Sequence, residues 1–167
     1  MNATELSTRE PRPFTIMFVC LGNICRSPAA QGVMESILKE RSLVHEFKVD
    51  SAGTASYHIG RLPDARMVAA AAKRGYKLTS LAKAIKKVDV GDRRLVLAMD
   101  RENFAEIARI AGGEMVNVRM LSDYLDATWP RDVPDPYYGG EAGFEYVLDM
   151  LEAACPKILA ECLQSIV

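Results

Sequence analysis

The chain has 167 residues, 49% of them apolar and 26% charged, with a formal net charge of −1. This make-up fits one soluble globular domain with a sizeable core. It leaves no broad basic face for nucleic acid, and no apolar run is long enough to insert across a membrane. Four cysteines without a hydrophobic leader point to a reducing, cytoplasmic setting. No Cys/His set has ligand spacing, so neither a metal nor another cofactor is expected.

In chain order, residues 1–13, MNATELSTREPRP, are polar and read as a flexible tail ahead of a domain at 14–167. Residues 14–20 form an apolar run rich in branched side chains, the pattern of a strand buried on both faces. Gly22 and Asn23 most readily accept left-handed backbone in a tight loop. Ser27 followed by Pro28 predicts a helix start, and the helix runs over 27–41. Further strands are expected near 47–51, 94–99 and 116–120, and further helices near 64–74, 101–111 and 141–164. Asp64 is the expected N-cap of the second helix and Gly75 its stop. Phe104, Ile107, Ala108 and Ala111 recur at helical spacing and read as core. This alternation argues for a single three-layer α/β domain, Rossmann-like. Its four-stranded parallel sheet has helices on both faces and the site at the C-terminal end of the first strand. The Walker-type phosphate loop and the dinucleotide glycine fingerprint are both absent.

The most informative segment is 14–28, FTIMFVCLGNICRSP. A buried strand, a tight loop and a helix N-terminus in succession make a cup of backbone N–H groups suited to an oxyanion. Cys20 stands at its rim, where that positive field favours a thiolate. Arg26, six residues on, offers a fixed fork that pairs with two phosphate oxygens at once. Cys20 therefore reads as the nucleophile and Arg26 as the clamp. The loop amides of Leu21, Gly22, Asn23, Ile24, Cys25 and Arg26 hold the remaining oxygens. Ser27 can donate to the thiolate and favour its charged form. The plain alternative, a structural cysteine ending a strand, leaves the arginine and the loop unexplained.

CLGNICRSP resembles the phosphate-binding loop of the low-molecular-weight protein tyrosine phosphatases. VDSAGT at 49–54, YHIGRLPDAR at 57–66, LVLAMD at 95–100 and DPYYGGEAGFEYVL at 135–148 resemble further segments of that family in its order and spacing. The resemblance implies metal-independent hydrolysis of phosphotyrosine in proteins through a cysteinyl-phosphate, with phosphate as product. Asp135 is then the general acid. Alone, Asp135 in Pro-Asp-Pro is a turn residue, and Pro134 and Pro136 restrict the backbone around it. Ile24, Tyr57, Tyr137 and Tyr138 line the substrate cleft in this reading, and Asn23 and Ser51 brace the loop. The family's bracing network usually includes a histidine. The best alignment puts Ser80 in its place and Lys83 where an arginine is common; neither His45 nor His58 falls there. Cys25 either fills space beneath the loop or, as the resemblance implies, forms a disulfide with Cys20 that protects it from peroxide. A monomer or weak homodimer is expected.

Three other functions compete. Protein-arginine phosphatases are similar but tend to have threonine where this chain has Ile24. Thioredoxin-coupled arsenate reductases share the loop and carry two more redox cysteines seven apart. Cys155 and Cys162 have that spacing, but on the final helix it is a packing repeat. Phosphocarrier modules with a related loop lack the acid segment containing Asp135.

Overall fold

The run Phe14–Cys20 (β1) forms an inner strand of a four-stranded parallel sheet, which accounts for its lack of polar alternation. The structure, a computed structural model, describes residues 11–166, so residues 1–10 of the expected tail lie outside the described residues. β1 is followed by α1 (Arg26–Glu40), β2 (Phe47–Gly53), α2 (Ala65–Lys73), α3 (Lys87–Asp92) and β3 (Leu95–Ala98). Then come α4 (Arg101–Ala111), β4 (Val118–Met120), a short 3-10 turn (Leu121–Tyr124) and α5 (Glu141–Ile166). The strand order is β2-β1-β3-β4. β1 pairs in register with β2 from Phe14↔Phe47 to Cys20↔Gly53, and with β3 from Ile16↔Leu95 to Val19↔Ala98.

The two faces of the sheet carry separate cores. Ile16, Phe18 and Cys20 point into one, with Val33 and Met34 of α1, Met67 of α2 and Phe144, Leu148 and Leu151 of α5. Met17 and Val19 point into the other, with Val90 of α3 and Ile107 and Ala111 of α4. Side chains on successive residues leave a strand on opposite faces, so every residue of β1 past Thr15 is buried. The expected three-layer architecture is the observed one. Because the chain proceeds from β1 to β2 on one side and reaches β3 on the other, a crevice opens at the C-terminal end of β1.

Local signals set most helix ends. Asp64 caps α2 by accepting from the Arg66 N–H at 2.9 Å, and Gly75 ends the turn after it at φ +86°. Asp100 caps α4 by accepting from the Asn103 N–H at 2.7 Å, and Gly112 closes it at φ +62°. The start of α1 differs from expectation. Its N-cap is Cys25, without a side-chain cap, and Ser27 and Pro28 lie inside the first turn. Proline is tolerated there because the first-turn N–H groups have no helical partner. α3 was not expected, since six residues with one glycine and two valines show no helical period. Among the described residues no helix is long and apolar enough to cross a membrane.

Gly53 fixes how closely β2 approaches the loop after β1. A Cβ there would lie 2.6 Å from the Leu21 carbonyl oxygen and 3.1 Å from the Gly22 carbonyl carbon. These are backbone atoms and cannot swing aside. Gly53→Ala should therefore lower the unfolding free energy by about 1–3 kcal/mol in urea denaturation. Gly91→Ala, whose Cβ meets nothing within 4 Å inside α3, should leave it unchanged or raise it.

Candidate active site

Residues 21–25 carry the chain from the end of β1 into α1. Their shape rests on Asn23, which holds a left-handed φ of +56°. Gly22 does not share that conformation, contrary to the sequence reading. It is needed for space instead, since a Cβ there would come within 2.9 Å of His58 Cδ2. The loop carbonyls are engaged from outside. Cys20, Leu21 and Ile24 accept from the N–H groups of Thr54, Ala55 and Asp64 at 2.8–2.9 Å. Among the described residues none of the N–H groups of 22–26 donates to a backbone carbonyl. Unpaired donors concentrated at a helix N-terminus are the kind of group that can receive an anion. Cys20 Sγ lies 3.0 Å from Ser27 Oγ.

Asn23 is the hub beneath the loop. Its Nδ2 donates to Ser27 Oγ at 2.8 Å and to Ser51 Oγ at 3.0 Å, while its Oδ1 accepts from the Lys83 backbone N–H at 3.0 Å. Ser51 Oγ in turn donates a hydrogen bond to Gln31 Oε1 at 2.7 Å. The network thus includes the two expected members, Asn23 and Ser51, and adds Gln31, one helical turn past Ser27. Ser80 forms no side-chain hydrogen bond among the described residues. The contact from its segment comes from the backbone of Lys83, whose ammonium pairs with Asp50 at 2.8 Å. That carboxylate is held below its ordinary range: burial opposes this, but hydrogen bonds from Arg93 and Lys83 outweigh it.

Arg26 is 3% exposed. One terminal nitrogen donates to Asp100 Oδ2 at 2.5 Å and to the Val133 carbonyl at 3.0 Å. The other lies 3.7 Å from Asp135 Oδ2, beyond hydrogen-bond reach. Burial pushes the guanidinium down, but Cys20, Asp100 and Asp135 more than offset this and hold it above its ordinary value. Asp135 sits on the loop before α5 with its side chain 39% exposed, and its Oδ1 accepts from the Tyr137 N–H at 3.1 Å. Val133 anchors that loop to the end of β3 by donating to the Met99 carbonyl at 2.9 Å. Sequence reasoning missed Asp100 as a site residue; its place directly after a strand, as an N-cap, was the available signal.

A cleft of about 260 Å³ brings the predicted residues together. Cys20, Leu21, Gly22, Ile24, Cys25 and Arg26 form its base, and Tyr57, Asp135, Tyr137 and Tyr138 its walls. His58 is an unforeseen member, between Tyr57 and Tyr137 with ring centroids 6.3 and 6.5 Å away. Tyr137 meets Tyr138 edge-on at 4.9 Å and carries the Arg66 guanidinium over its face at 5.4 Å. Cys25 is buried beside the cleft; burial first, then the charges of Asp64, Cys20 and Asp135, push its thiol up to about 12. Cys155 and Cys162 are buried in the α5 core, and Cys162 borders a groove beside Phe14, at the opposite end of β1 from Cys20.

Comparison with known proteins agrees with this geometry. The sequence model described as "Low molecular weight phosphotyrosine protein phosphatase" matches residues 15–166. The chain is 46% identical over 146 residues to a Synechocystis protein assigned as a low molecular weight protein-tyrosine-phosphatase, covering 86% of this chain and 93% of that one. A protein tyrosine phosphatase from Entamoeba histolytica, solved with Hepes in its active site, superposes with a TM-score of 0.88 at 36% identity, covering 92% and 99%. A Drosophila arginine phosphatase superposes with a TM-score of 0.81 at 28% identity, covering 87% and 96%. The chain belongs to the low molecular weight phosphotyrosine protein phosphatase family.

Asn23→Ala strands a buried hydroxyl pair and the Lys83 N–H, so it should lower stability by about 1–3 kcal/mol in thermal unfolding. Ser80→Ala should stay within about 0.5 kcal/mol of the parent. A large loss on Ser80→Ala would show that the hydroxyl does brace the loop.

Proposed function

We propose that this protein hydrolyses phosphotyrosine in proteins through a cysteinyl-phosphate intermediate. The observation that carries this reading is the meeting of Cys20 Sγ, the unpaired N–H groups of 22–26 and the buried Arg26 in one cleft with Asp135. The Cys20 sulfur attacks phosphorus in line, so that an S–P bond forms while the P–O bond to the tyrosine breaks. Asp135 protonates the leaving phenolate. It then takes a proton from the water that attacks the intermediate, which releases inorganic phosphate and restores the thiolate. The loop amides and Arg26 hold the three non-bridging oxygens throughout, where charge accumulates in transfer. Ser27, at 3.0 Å, donates to the thiolate. The same reading keeps the protein in a reducing cytoplasm, as a monomer or weak homodimer.

Phosphoarginine hydrolysis is the second reading, because an arginine phosphatase shares the fold. The walls favour a flat ring: Ile24 lies at the base of a cleft bordered by Tyr57, Tyr137 and Tyr138, and apolar and edge-on contacts suit a phenyl group. Arsenate reduction needs two further reachable thiols, and Cys155 and Cys162 are packed in α5 at 0% and 2% exposure. The test is turnover of p-nitrophenyl phosphate with chelator present, followed by phosphotyrosine, phosphoarginine and arsenate in competition. Undiminished turnover by Cys20→Ser would sink the assignment, as would phosphoarginine outcompeting phosphotyrosine.

Asp135→Asn should cut kcat on phosphotyrosine by about 10²–10⁴, the worth of a positioned acid. The loss should shrink as the leaving group becomes more acidic and needs the proton less. Equal losses across leaving groups would make Asp135 a structural turn residue.

Cys25 serves in this reading as the thiol that rescues an oxidised nucleophile. Peroxide converts Cys20 to a sulfenic acid; Cys25 sulfur attacks it, water leaves, and a Cys20–Cys25 disulfide forms that an added dithiol reopens. Attack requires the Cys25 thiolate, and a thiol raised to about 12 is almost wholly protonated at neutral pH. Closure should therefore speed up as pH rises, about tenfold per unit well below that value. Mass spectrometry after brief peroxide treatment checks this: the disulfide fraction should grow between pH 6 and 9, and Cys25→Ser should recover poorly with dithiothreitol. Equal recovery of both proteins would leave Cys25 as packing alone.

A further inference from the structure

Residues 134–139, which carry Asp135, have few fixtures of their own. Among the described residues, no hydrogen bond joins them to another segment. Asp135 Oδ1 accepts from the Tyr137 N–H at 3.1 Å, and the Pro136 carbonyl accepts from the Gly139 N–H at 3.1 Å, both within the loop. The Arg26 contact with Asp135, at 3.7 Å, is beyond hydrogen-bond reach. A proton donor needs closer control than that, since a displacement of about 1 Å can cost about 10²-fold in rate. Tyr137 is where the loop is gripped from outside. The Arg66 guanidinium lies over its ring, 5.4 Å from the centroid, and also 4.9 Å from the centroid of the buried Phe144 ring. Both distances fall within the range of cation–ring attraction. One guanidinium therefore spans the acid loop and the first turn of α5, which follows it.

Arg66 is itself held on its other edge. Its Nε and one terminal nitrogen donate to the two carboxylate oxygens of Asp64 at 3.0 and 2.9 Å. Such a fork fixes the plane of the guanidinium as well as its place. Asp64 is in turn the N-cap of α2, and its own N–H donates to the Ile24 carbonyl at 2.8 Å, in the loop that follows β1. The contacts thus run without a gap from Ile24 through Asp64, Arg66 and Tyr137 to Asp135. We propose that Arg66 is a positioning residue for the general acid. It ties the acid loop to the phosphate-binding loop, so that proton donor and bound phosphate keep one relative placement. Arg66 does not line the catalytic cleft, so it acts through Tyr137 and not on the substrate. The proposal rests on the phosphatase reading above and on Asp135 as its acid.

The experiment measures kcat/KM over a series of aryl phosphates, from phenyl phosphate to p-nitrophenyl phosphate, because this quantity covers the step that expels the phenol. Arg66→Ala should lower it about two- to fivefold for phenyl phosphate, the weight of a half-exposed cation–ring contact. The loss should be smaller for p-nitrophenyl phosphate, whose more acidic phenol needs the proton less. In an Asp135→Asn background the same change should cause no further loss, since a positioning residue has nothing to act on once its group is gone. Arg66→Lys keeps a charge beside Asp64 but offers no flat face to two rings, so it should show the same leaving-group dependence at smaller amplitude. If Arg66→Ala does not fold, Arg66→Lys is judged by the same two criteria. A loss equal across leaving groups, or one that multiplies with that of Asp135→Asn, overturns the proposal, as does no loss at all. Equal losses across the series for Asp135→Asn itself would instead remove the acid assignment beneath it, and absence of turnover by the parent enzyme would remove the phosphatase reading.

Discussion

Residues 22–26 leave their N–H groups without backbone partners while the neighbouring carbonyls are engaged, an arrangement that a free loop does not hold. It persists because the surroundings fix the loop on every side. Asn23, in left-handed backbone, bonds Ser27, Ser51 and the Lys83 N–H at once. Those partners come from α1, β2 and the segment leading to α3, so three separate parts of the chain must be in place before the cup exists. Gly53 lets β2 approach closely enough to join them. The strain at Asn23 is carried by the rest of the fold, as expected where a site must be formed before its ligand arrives.

The second constraint is electrostatic. A guanidinium at 3% exposure is costly unless its charge is compensated, and Asp100 and Asp135 provide that compensation. The division of labour within the group matters. One terminal nitrogen is committed to Asp100 and the Val133 carbonyl, while the other has only a 3.7 Å contact with Asp135. Arg26 is thereby oriented by half of its fork, while the donors on the other half make no hydrogen bond among the described residues. Lysine, with a single point charge, has no such second half.

Much of this was legible in the sequence where the signal was local. The apolar run of β1, the Asp64 cap and the Gly75 stop all fell where short-range chemistry put them, and α4 has the expected limits, 101–111. Cys20, Arg26 and Asp135, which loop chemistry and motif order singled out in the sequence, lie together on one cleft. What failed depended on contacts distant in sequence. Ser27 looked like a cap but is drawn to Cys20 and Asn23 instead. Ser80 aligned with the family's histidine, yet the bond to Asn23 comes from a backbone N–H three residues later. Gln31 and His58 had no distinguishing neighbours in sequence. Each acquires a role only when α1 passes Ser51 or when the segment after β2 folds back over Gly22.

Asp100 joins the two constraints. Its Oδ1 caps α4 at the Asn103 N–H, and its Oδ2 orients Arg26. One carboxylate therefore ties the Arg26 guanidinium to the first turn of α4, and both depend on the same short side chain just past β3. Parallel α/β sheets gather such residues at the carboxyl ends of their strands, where each strand hands over to a loop or helix N-terminus. Here β1 ends in Cys20, β2 makes the close approach at Gly53, and the residue two past β3, Asp100, couples Arg26 to α4. The three adjacent strands β2-β1-β3 of the order β2-β1-β3-β4 thus meet around the cleft.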